Sequence, residues 1–550
     1  MPNVATLIAA ANRWIADWRR LWNDTRGNTF MIAAAAMVPM LAMVGSGIDM
    51  SRGYLARTRL QEACDAGVLA TRKKIGSTVI TNNVIPTDAA AAGNRFFNLN
   101  FQDGAYGTTN RTFTMTLLSN YTINGTATAT VPTSVMKLFT IDNLPITVNC
   151  SAQFNYSNSD IMMVLDTTGS MNDTNPGDTS SKISVLRQVV KDFYTSVEAT
   201  KGQGTRIRYG FVPYSTNVNV GFLLKSGWMV DQNNYETRSA VGSGFNARWR
   251  YASRSIPVSG LKSSNPDTLY PGGTITERIA GTPSSPLNTT LTYNGCIEER
   301  ATYVIDDYNN VDLTRAHDLD IDAVPVSNNP DTQWRPLFPE LAYLRGITNW
   351  GNYLYGSWSP GSVDYSDDYT NASALGFAAC PAKARKLAEM TATDVNTYVN
   401  SLVAAGSTYH DIGMIWGGRL ISPTGLFAAE NAEINGRPTT RHLIFLTDGE
   451  TSPLEYSYDS YGVEPLSQKR WNYSSKYTLT QTVENRFTVA CNQVKNKNVT
   501  VWTIGFGTAV TDLMKNCAGP GHWFQASNSK QLADAFAAIA ASIGDLRIIK

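Results

Sequence analysis

The chain has 550 residues, 43% of them hydrophobic, and a formal net charge of +1. This length is expected to form more than one domain. The balanced charge argues against a nucleic-acid-binding protein, and the apolar content excludes a largely disordered chain.

Residues 1–25 predict an amphipathic helix on the cytoplasmic surface of a membrane. Apolar side chains recur at helical spacing between Val4 and Trp22, with Arg13, Arg19 and Arg20 among them. Such a helix can lie in the interfacial plane of a bilayer. A helix packed on a partner protein is the alternative.

Residues 26–48 predict a single transmembrane helix. The stretch from Phe30 to Ile48 has no charged side chain, and one crossing needs about 20 apolar residues. A cleaved signal peptide is the alternative. Arginines flank the segment on both sides, so the positive-inside rule does not decide its orientation. The cysteines and the long polar remainder predict a cytoplasmic amino terminus with the bulk of the chain outside.

Residues 49–158 predict a helix followed by antiparallel strands, a pilin-like α+β arrangement. Residues 51–74 contain good helix formers and no proline, so we expect the membrane helix to continue outward. From Phe113 to Gln153, threonine and valine alternate with apolar residues, and Asn124-Gly125 marks a tight turn. A plain stalk domain would show the same pattern.

Residues 159–550 predict an α/β domain, because strand and helix patterns alternate along them. The strand patterns lie at 160–166, 206–215, 441–450, 499–507 and 522–527, and the helix patterns at 182–200, 392–405, 411–421, 479–495 and 530–546. Such alternation is typical of a doubly wound, mostly parallel sheet.

The interval of about 216–388 is rich in Tyr, Trp, Asn, Ser, Gly and Pro and shows little periodicity. We expect it to be a functional insertion without regular structure. Its aromatic side chains suit a surface that selects a partner. Packing of these aromatics on the domain core is the alternative.

Oxygen-bearing side chains follow two of the predicted strands. Asp166 ends the first strand, Thr168 and Ser170 lie in the next turn, and Asp448 ends a later strand. Thr408, in a polar loop between two helices, adds a third hydroxyl. Doubly wound sheets bind ligands beyond the carboxyl ends of their strands, and Mg²⁺ or Mn²⁺ prefers hard oxygen ligands. Helix capping is the alternative role for these residues.

The pattern D-x-T-x-S at 166–170, with Thr408 and T-D-G at 447–449, resembles the metal-ion-dependent adhesion site of von Willebrand factor A domains. One position departs from that family, since Thr168 stands where serine is usual. The resemblance implies a Rossmann-like sheet. It also implies a Mg²⁺ or Mn²⁺ ion whose ligands are Asp166, Thr168, Ser170, Thr408 and Asp448.

The stretch that begins RGNTFMIAAAAMVPM at Arg26 resembles the anchor of TadG-type proteins of bacterial Flp (Tad) pilus assembly systems. Proteins of this type combine one amino-terminal membrane helix with a carboxyl-terminal von Willebrand A domain. The resemblance implies a single-pass protein of the bacterial inner membrane, with its bulk periplasmic or surface-exposed. It implies partners among pilus or assembly-machinery proteins and leaves homo-oligomerisation open.

We therefore expect a binding protein and not an enzyme. The chain has four histidines and lacks both the H-E-x-x-H and the G-x-S-x-G motif. For a metal-dependent hydrolase, His410-Asp411 would be the place to look; we instead expect Asp411 to cap a helix and His410 to shape the loop rim. A surface adhesin, or a structural stalk with an empty metal site, is the other alternative.

Six cysteines without a C-x-x-C pair predict disulfides formed in an oxidising compartment, with buried thiols as the alternative. Cys491 lies in the helix before the strand at 499–507, and Cys517 follows that strand. The two ends of such a unit can lie close together, so we expect them to be bridged. Cys296 and Cys380 are the second candidate pair, and the pairing of the remaining two stays open.

Overall fold

The computed structural model describes residues 28–75, 84–118, 122–152, 155–156, 158–201, 205–345, 361–366, 369–433, 438–545 and 548–549. Of the segment 1–25, for which an amphipathic helix is predicted, the structure describes only Ala16. The chain divides into two compact units, residues 1–154 and 155–549.

The first unit contains a long helix, a shorter one and a three-stranded antiparallel sheet. Its elements are α1 (Asn28–Ile75), α2 (Thr87–Asn100), β1 (Thr109–Leu117), β2 (Ile123–Pro132) and β3 (Asn143–Ala152). Leu60 and Val68 of α1 are buried together with Ile123 of β2. A disulfide joins Cys64 of α1 to Cys150 of β3. The continuous helix and the antiparallel strands agree with the pattern expected for this region.

The amino-terminal part of α1 is long and apolar enough to cross a membrane. Its most apolar window has a mean hydropathy of 1.9 and is 6% buried. From Gly45 onward the helix contacts the rest of the unit, since Gly45 is buried against Val135. The Asp49 carboxylate then accepts hydrogen bonds from the backbone N–H groups of Ser134, Val135 and Met136 at 2.8–3.0 Å. The exposed apolar part therefore ends where the packed part begins.

The second unit alternates strands and helices. In chain order its strands are β4 (Asn155–Tyr156), β5 (Asn158–Asp166), β6 (Ile207–Tyr214), β7 (Gln232–Val241), β8 (Arg248–Pro257), β9 (Thr274–Thr282), β10 (Ser285–Thr292), β11 (Ile297–Glu298), β12 (Arg335–Pro336), β13 (Asp364–Ser366), β14 (Arg385–Ala388), β15 (Thr439–Thr447), β16 (Tyr458–Asp459), β17 (Gly462–Val463), β18 (Val499–Phe506), β19 (Trp523–Ala526) and β20 (Ile548–Ile549). Its helices are α3 (Lys182–Ala199), α4 (Ala372–Leu375), α5 (Ala392–Asn400), α6 (His410–Ile421), α7 (Ala428–Asn431), α8 (Glu464–Ser467), α9 (Leu479–Lys495), α10 (Asp512–Ala518) and α11 (Ser529–Asp545).

The main sheet has the strand order β14-β6-β5-β15-β18-β19. All neighbouring pairs are parallel except β14 with β6, which is antiparallel at the edge. Numbered by their sequence within this sheet, the strands run 3-2-1-4-5-6, the order of a doubly wound fold. The predicted fold class is therefore confirmed.

Helices cover both faces of the main sheet. Because successive side chains of a strand point to opposite faces, Met162 and Val164 of β5 pack in one buried cluster with residues of α6 and α9. Ile161 and Met163 pack in a second cluster with residues of α3, α5 and α11. Burial on both faces explains the uninterrupted apolar run from Ile161 to Leu165 in β5.

The helix predicted at 392–405 ends early, at Asn400. Beyond it the backbone turns toward the end of β5, where the N–H of Ala405 donates to Thr167 O at 2.8 Å. The N–H of Gly169 in turn donates to Gly406 O at 2.9 Å. If the helix continued beyond Asn400, the backbone of Ala405 and Gly406 could not make these two hydrogen bonds.

The expectation that residues 216–388 lack regular structure is wrong. Strands β7, β8 and β13 form an antiparallel sheet, and β9 pairs with β10. In β7 the side chains of Asn233, Tyr235 and Thr237 are buried in alternation; two of these are polar, which hides the period in the sequence. Strand β14 belongs to the main sheet, so the insertion ends before Arg385.

Aromatic side chains in the described part of the insertion belong largely to the core. Trp249, Tyr251, Tyr293 and Trp334 are at most 3% exposed and lie in the cluster that contains Trp416 of α6. These residues pack the insertion on the scaffold, which was the alternative interpretation. Most of the aromatic stretch 349–369 lies outside the described residues.

Buried ion pairs also hold the insertion to the scaffold. Glu299 of the insertion accepts hydrogen bonds from Arg419 of α6 at 2.7 and 3.1 Å, and from the indole N–H groups of Trp416 and Trp334 at 2.7 and 3.1 Å. Burial raises the pKa of Glu299, but the positive charge of Arg419 and its hydrogen bonds lower it. The pKa of Glu299 therefore lies below its usual range. Asp318, also in the insertion, pairs with Arg486 of α9.

Another buried arginine lies among three carboxylates within the scaffold. Arg470 lies 2.5 Å from Asp411, 2.6 Å from Glu464 and 3.3 Å from Asp459. All four side chains are at most 1% exposed. The expectation that Asp411 caps α6 is wrong, because the N-cap residue is Tyr409 and no side chain caps this helix end. Asp411 lies inside the first turn, where one oxygen accepts the N–H of Ile412 and the other pairs with Arg470.

Two disulfides lie in the second unit. One joins Cys491 to Cys517, linking α9 and α10 on either side of β18, and the other joins Cys296 to Cys380. These are the two pairs considered from the sequence. No cysteine among the described residues is free.

Glu299→Gln is expected to lower the free energy of unfolding by about 3–5 kcal/mol, because it leaves Arg419 buried without its counter-charge. Urea unfolding followed by tryptophan fluorescence measures the change. The matched control is Asp231→Asn, which breaks the more exposed pair with Lys262 and should cost about 0–1 kcal/mol. Equal losses in the two variants would contradict the structural role of Glu299.

Replacing Cys491 and Cys517 together by serine is expected to cost about 3 kcal/mol of stability, as the chain-entropy relation gives for a loop of this size. Peptide mass spectrometry without reduction should recover Cys491 and Cys517 in one linked species. Alkylation of both thiols in the unreduced wild type would rule the bridge out.

Candidate functional site

The candidate site lies at the carboxyl ends of the two central strands. Leu165 of β5 is opposite Leu446 of β15 in a parallel pair, so both strands end at the same edge. Asp166 is the last residue of β5, and Asp448 directly follows β15. In the strand order 3-2-1-4-5-6, β5 and β15 are strands 1 and 4. The order reverses between these two strands, which is the point where doubly wound folds bind ligands.

The hydroxyls of the turn after β5 face Asp448. Ser170 donates to Asp448 Oδ1 at 2.8 Å, and Thr168 lies 3.4 Å from the same oxygen. The two hydroxyl oxygens are 3.0 Å apart. A turn from one strand and a carboxylate from its neighbour therefore form one cluster of oxygens, although they are about 280 residues apart.

Asp166 is wholly buried and is held from three directions. Its Oδ1 accepts the backbone N–H of Thr168 at 2.9 Å, and its Oδ2 accepts the hydroxyls of Thr447 at 2.7 Å and Tyr214 at 3.3 Å. Burial, and then the negative charge of Asp448, raise the pKa of Asp166 to about 6. Because the charge of one carboxylate disfavours ionisation of the other, a cation beside them would stabilise their charged forms.

Thr408 lies in a loop that is bonded to the turn after β5. The Gly406 carbonyl accepts the N–H of Gly169 at 2.9 Å, which joins the loop to the turn after β5. Gly406 has a φ of +88°, and an added Cβ would lie 2.7 Å from Thr216 Oγ1, so only glycine suits this approach. Thr408 is 5% exposed, and its hydroxyl makes no hydrogen bond to a described residue.

Two residues at the site, Lys182 and His410, were not predicted from the sequence as site residues. Lys182, the first residue of α3, donates to Asp448 Oδ2 at 3.0 Å. His410 places its two ring nitrogens 3.0 Å from the Thr447 hydroxyl and 2.9 Å from the Thr451 hydroxyl. Burial lowers the pKa of His410 to about 3, which keeps the ring neutral. Their partners are remote in sequence, so no local pattern reveals these contacts.

The donor set fits a hard divalent cation. Two buried carboxylates and nearby hydroxyls supply the oxygen ligands that Mg²⁺ and Mn²⁺ prefer. Within the described ranges no group of three or more His, Cys, Asp or Glu side chains is placed to hold a metal. A metal ion at Asp166 and Asp448 would therefore depend on the hydroxyls of Thr168, Ser170 and Thr408.

Residues 27–73 match the family of Flp pilus-assembly, TadE/G-like proteins. This match confirms the resemblance predicted for the amino-terminal segment. No curated protein sequence matches the chain.

Several solved structures align with the chain at low identity. The open form of the pilus adhesin SpaC from Lactobacillus rhamnosus GG is 12% identical, with a TM-score of 0.31, over 79% of this chain and 34% of SpaC. The von Willebrand factor domain of the type V pili tip protein Mfa5 from Porphyromonas gingivalis is 10% identical, with a TM-score of 0.30, over 72% of this chain and 98% of that one. A von Willebrand factor type A protein from Catenulispora acidiphila is 11% identical, with a TM-score of 0.25, over 79% and 49%. The chain spans about a third of SpaC.

Asp166→Asn is expected to change how stability depends on pH when metal is removed by chelator. The pKa of Asp166 is raised to about 6, so its stabilising contribution is present at low pH and is lost as pH rises through 6. Between pH 4.5 and 8 the wild type should lose about 2 kcal/mol relative to the variant. Urea unfolding in EDTA at both pH values measures this difference.

The control for this comparison is Asp192→Asn on the exposed face of α3. Its pH dependence should follow that of the wild type. Parallel pH curves for wild type and Asp166→Asn would contradict the raised pKa.

Proposed function

We propose that the chain is a membrane-anchored, extracytoplasmic component of a Tad (Flp) pilus assembly system that binds a protein partner through a divalent cation. Asp166, Thr168, Ser170, Thr408 and Asp448 would hold Mg²⁺ or Mn²⁺. The observation that carries this proposal is the meeting of Asp166 and Asp448, with the hydroxyls of the intervening turn, where the strand order of the sheet reverses.

The chemistry of these ligands suits a binding site better than a purely structural one. Only two of these ligands are carboxylates, and the hydroxyls are neutral. A divalent cation held by them would therefore still attract a further anionic ligand. The ion would supply a Lewis-acidic position for a carboxylate of the partner. The chain's own side chains would fix the ion's place, since Thr447 and Tyr214 hold Asp166 while Ser170 faces Asp448.

The membrane and the disulfides support the proposed location. The apolar part of α1 is suited by length and composition to one crossing of a membrane. Disulfides occur in both units, and such bonds persist in oxidising compartments such as the periplasm. We therefore place the bulk of the chain on the periplasmic or surface side, with the short amino-terminal segment in the cytoplasm.

The surroundings of His410 support a binding role over hydrolysis. A general base must reach the proton that it removes, with a pKa near the working pH. His410 is 3% exposed, is engaged at both ring nitrogens, and has a pKa of about 3. It is thus suited to hold Thr447, and through it Asp166, rather than to activate water.

Asp166→Ala is expected to remove divalent-metal stabilisation while the fold survives. A ligand present at a hundredfold excess over its Kd stabilises the folded state by about 2.7 kcal/mol. Mg²⁺ or Mn²⁺ should therefore raise the thermal midpoint of the full-length wild type in detergent and leave that of the variant unchanged. Asp192→Ala, an exposed carboxylate on α3, is the matched control and should keep the shift.

The partner test uses the same variants in native membranes. Proteins that co-purify with the wild type in Mg²⁺ should be lost with EDTA and with Asp166→Ala, but not with Asp192→Ala. A wild-type melting curve that neither Mg²⁺ nor Mn²⁺ moves would refute metal occupancy. Co-purification that is indifferent to EDTA would refute metal-dependent binding.

A further inference from the structure

Lys182 brings a positive charge of the chain's own into the candidate metal site. Its ammonium lies 3.0 Å from Asp448 Oδ2, and the two side chains are 11% and 0% exposed. No other ion pair of Lys182 or Asp448 occurs among the described residues. The pair is therefore a shielded contact, in which charge is screened much less than at the surface.

The position of Lys182 is fixed by its backbone. It is the first residue of α3, and its N–H donates to Asp173 O at 2.8 Å, across the turn that carries Ser170. The next residue, Ile183, is buried in the core under the sheet. The ammonium is thus supplied from a rigid helix start rather than from a mobile surface chain.

Asp448 has both oxygens engaged by groups of the chain. Oδ2 accepts the ammonium of Lys182, while Oδ1 accepts the hydroxyl of Ser170 at 2.8 Å and lies 3.4 Å from that of Thr168. A lysine ammonium is a donor with no acceptor capacity. It can therefore neutralise Asp448 but cannot serve as a ligand to a metal ion.

We propose that Lys182 is a built-in counter-cation that competes with the divalent ion for Asp448 and thereby weakens metal binding. This inference rests on the proposed metal function of the site and concerns its regulation. When the ion enters, it must share Asp448 with an ammonium of like charge. Without the ion, Lys182 keeps one of two neighbouring buried carboxylates neutralised, so the site tolerates repeated loss of its metal.

The test is calorimetric titration of the full-length protein in detergent with MnCl₂ and with MgCl₂. The variants are Lys182→Met, which keeps the length of the side chain without its charge, and Lys182→Arg, which keeps the charge. Lys182→Met is expected to bind Mn²⁺ at least about tenfold more tightly than the wild type, because a like charge close to the ion is removed. Lys182→Arg is expected to stay within about threefold of the wild type, because a like charge remains.

A second variant and a second readout guard against misfolding. Lys182→Gln retains an N–H donor for Asp448 without the charge, so it should fold where Lys182→Met does not, and it should also bind Mn²⁺ more tightly. The rise in thermal midpoint caused by Mn²⁺ should be larger in both uncharged variants than in the wild type.

The outcomes separate this inference from the proposed function. Equal or weaker Mn²⁺ binding by both uncharged variants, with binding by the wild type, overturns competition by Lys182 and leaves the metal function standing. Binding by the uncharged variants but not by the wild type supports the competition and refutes metal occupancy in the native protein. Absence of binding in all variants overturns both.

Discussion

The parallel register between β5 and β15 is the constraint on which the candidate site depends. Leu165 lies opposite Leu446, so Asp166 and Asp448 reach the same edge of the sheet. A slip of one residue would turn every side chain of β15 to the opposite face. The buried clusters on the two faces oppose such a slip. Hydrophobic packing thus fixes the separation of two charged groups that do not themselves favour proximity.

The insertion is attached by a different kind of interaction. Aromatic packing joins it to α6, and the charges of Glu299 and Asp318 find their partners on α6 and α9. Buried pairs gain little net stability, yet each partner left alone is costly. Such pairs therefore specify one arrangement of the insertion on the scaffold and add little to the free energy of folding. The site edge and the insertion share α6, which begins beside Thr408 and carries Arg419.

Local patterns explain what the sequence predicted. The apolar run of β5, the D-x-T-x-S turn and the helical periodicity of 479–495 are each contained in a few consecutive residues, and each is present as expected. Lys182 was missed because its partner Asp448 is 266 residues away. The early end of α5 is accompanied by a hydrogen bond to Thr167, which is remote in sequence. The strands of the insertion bury polar side chains, which masks the alternation of polar and apolar residues expected for a strand. Contacts distant in sequence leave no local pattern.

The direction of the buried ion pairs along the chain has a consequence for biosynthesis. Glu299 and Asp318 leave the ribosome before Arg419 and Arg486, and a chain generally folds from its amino-terminal part first. Until the later arginines arrive, the insertion cannot bury its carboxylates without a large penalty. The first unit contains both cysteines of its disulfide, Cys64 and Cys150, so this bond does not depend on residues synthesised later. During synthesis the second unit would therefore stay incompletely packed until Arg419 and Arg486 have been added to the chain.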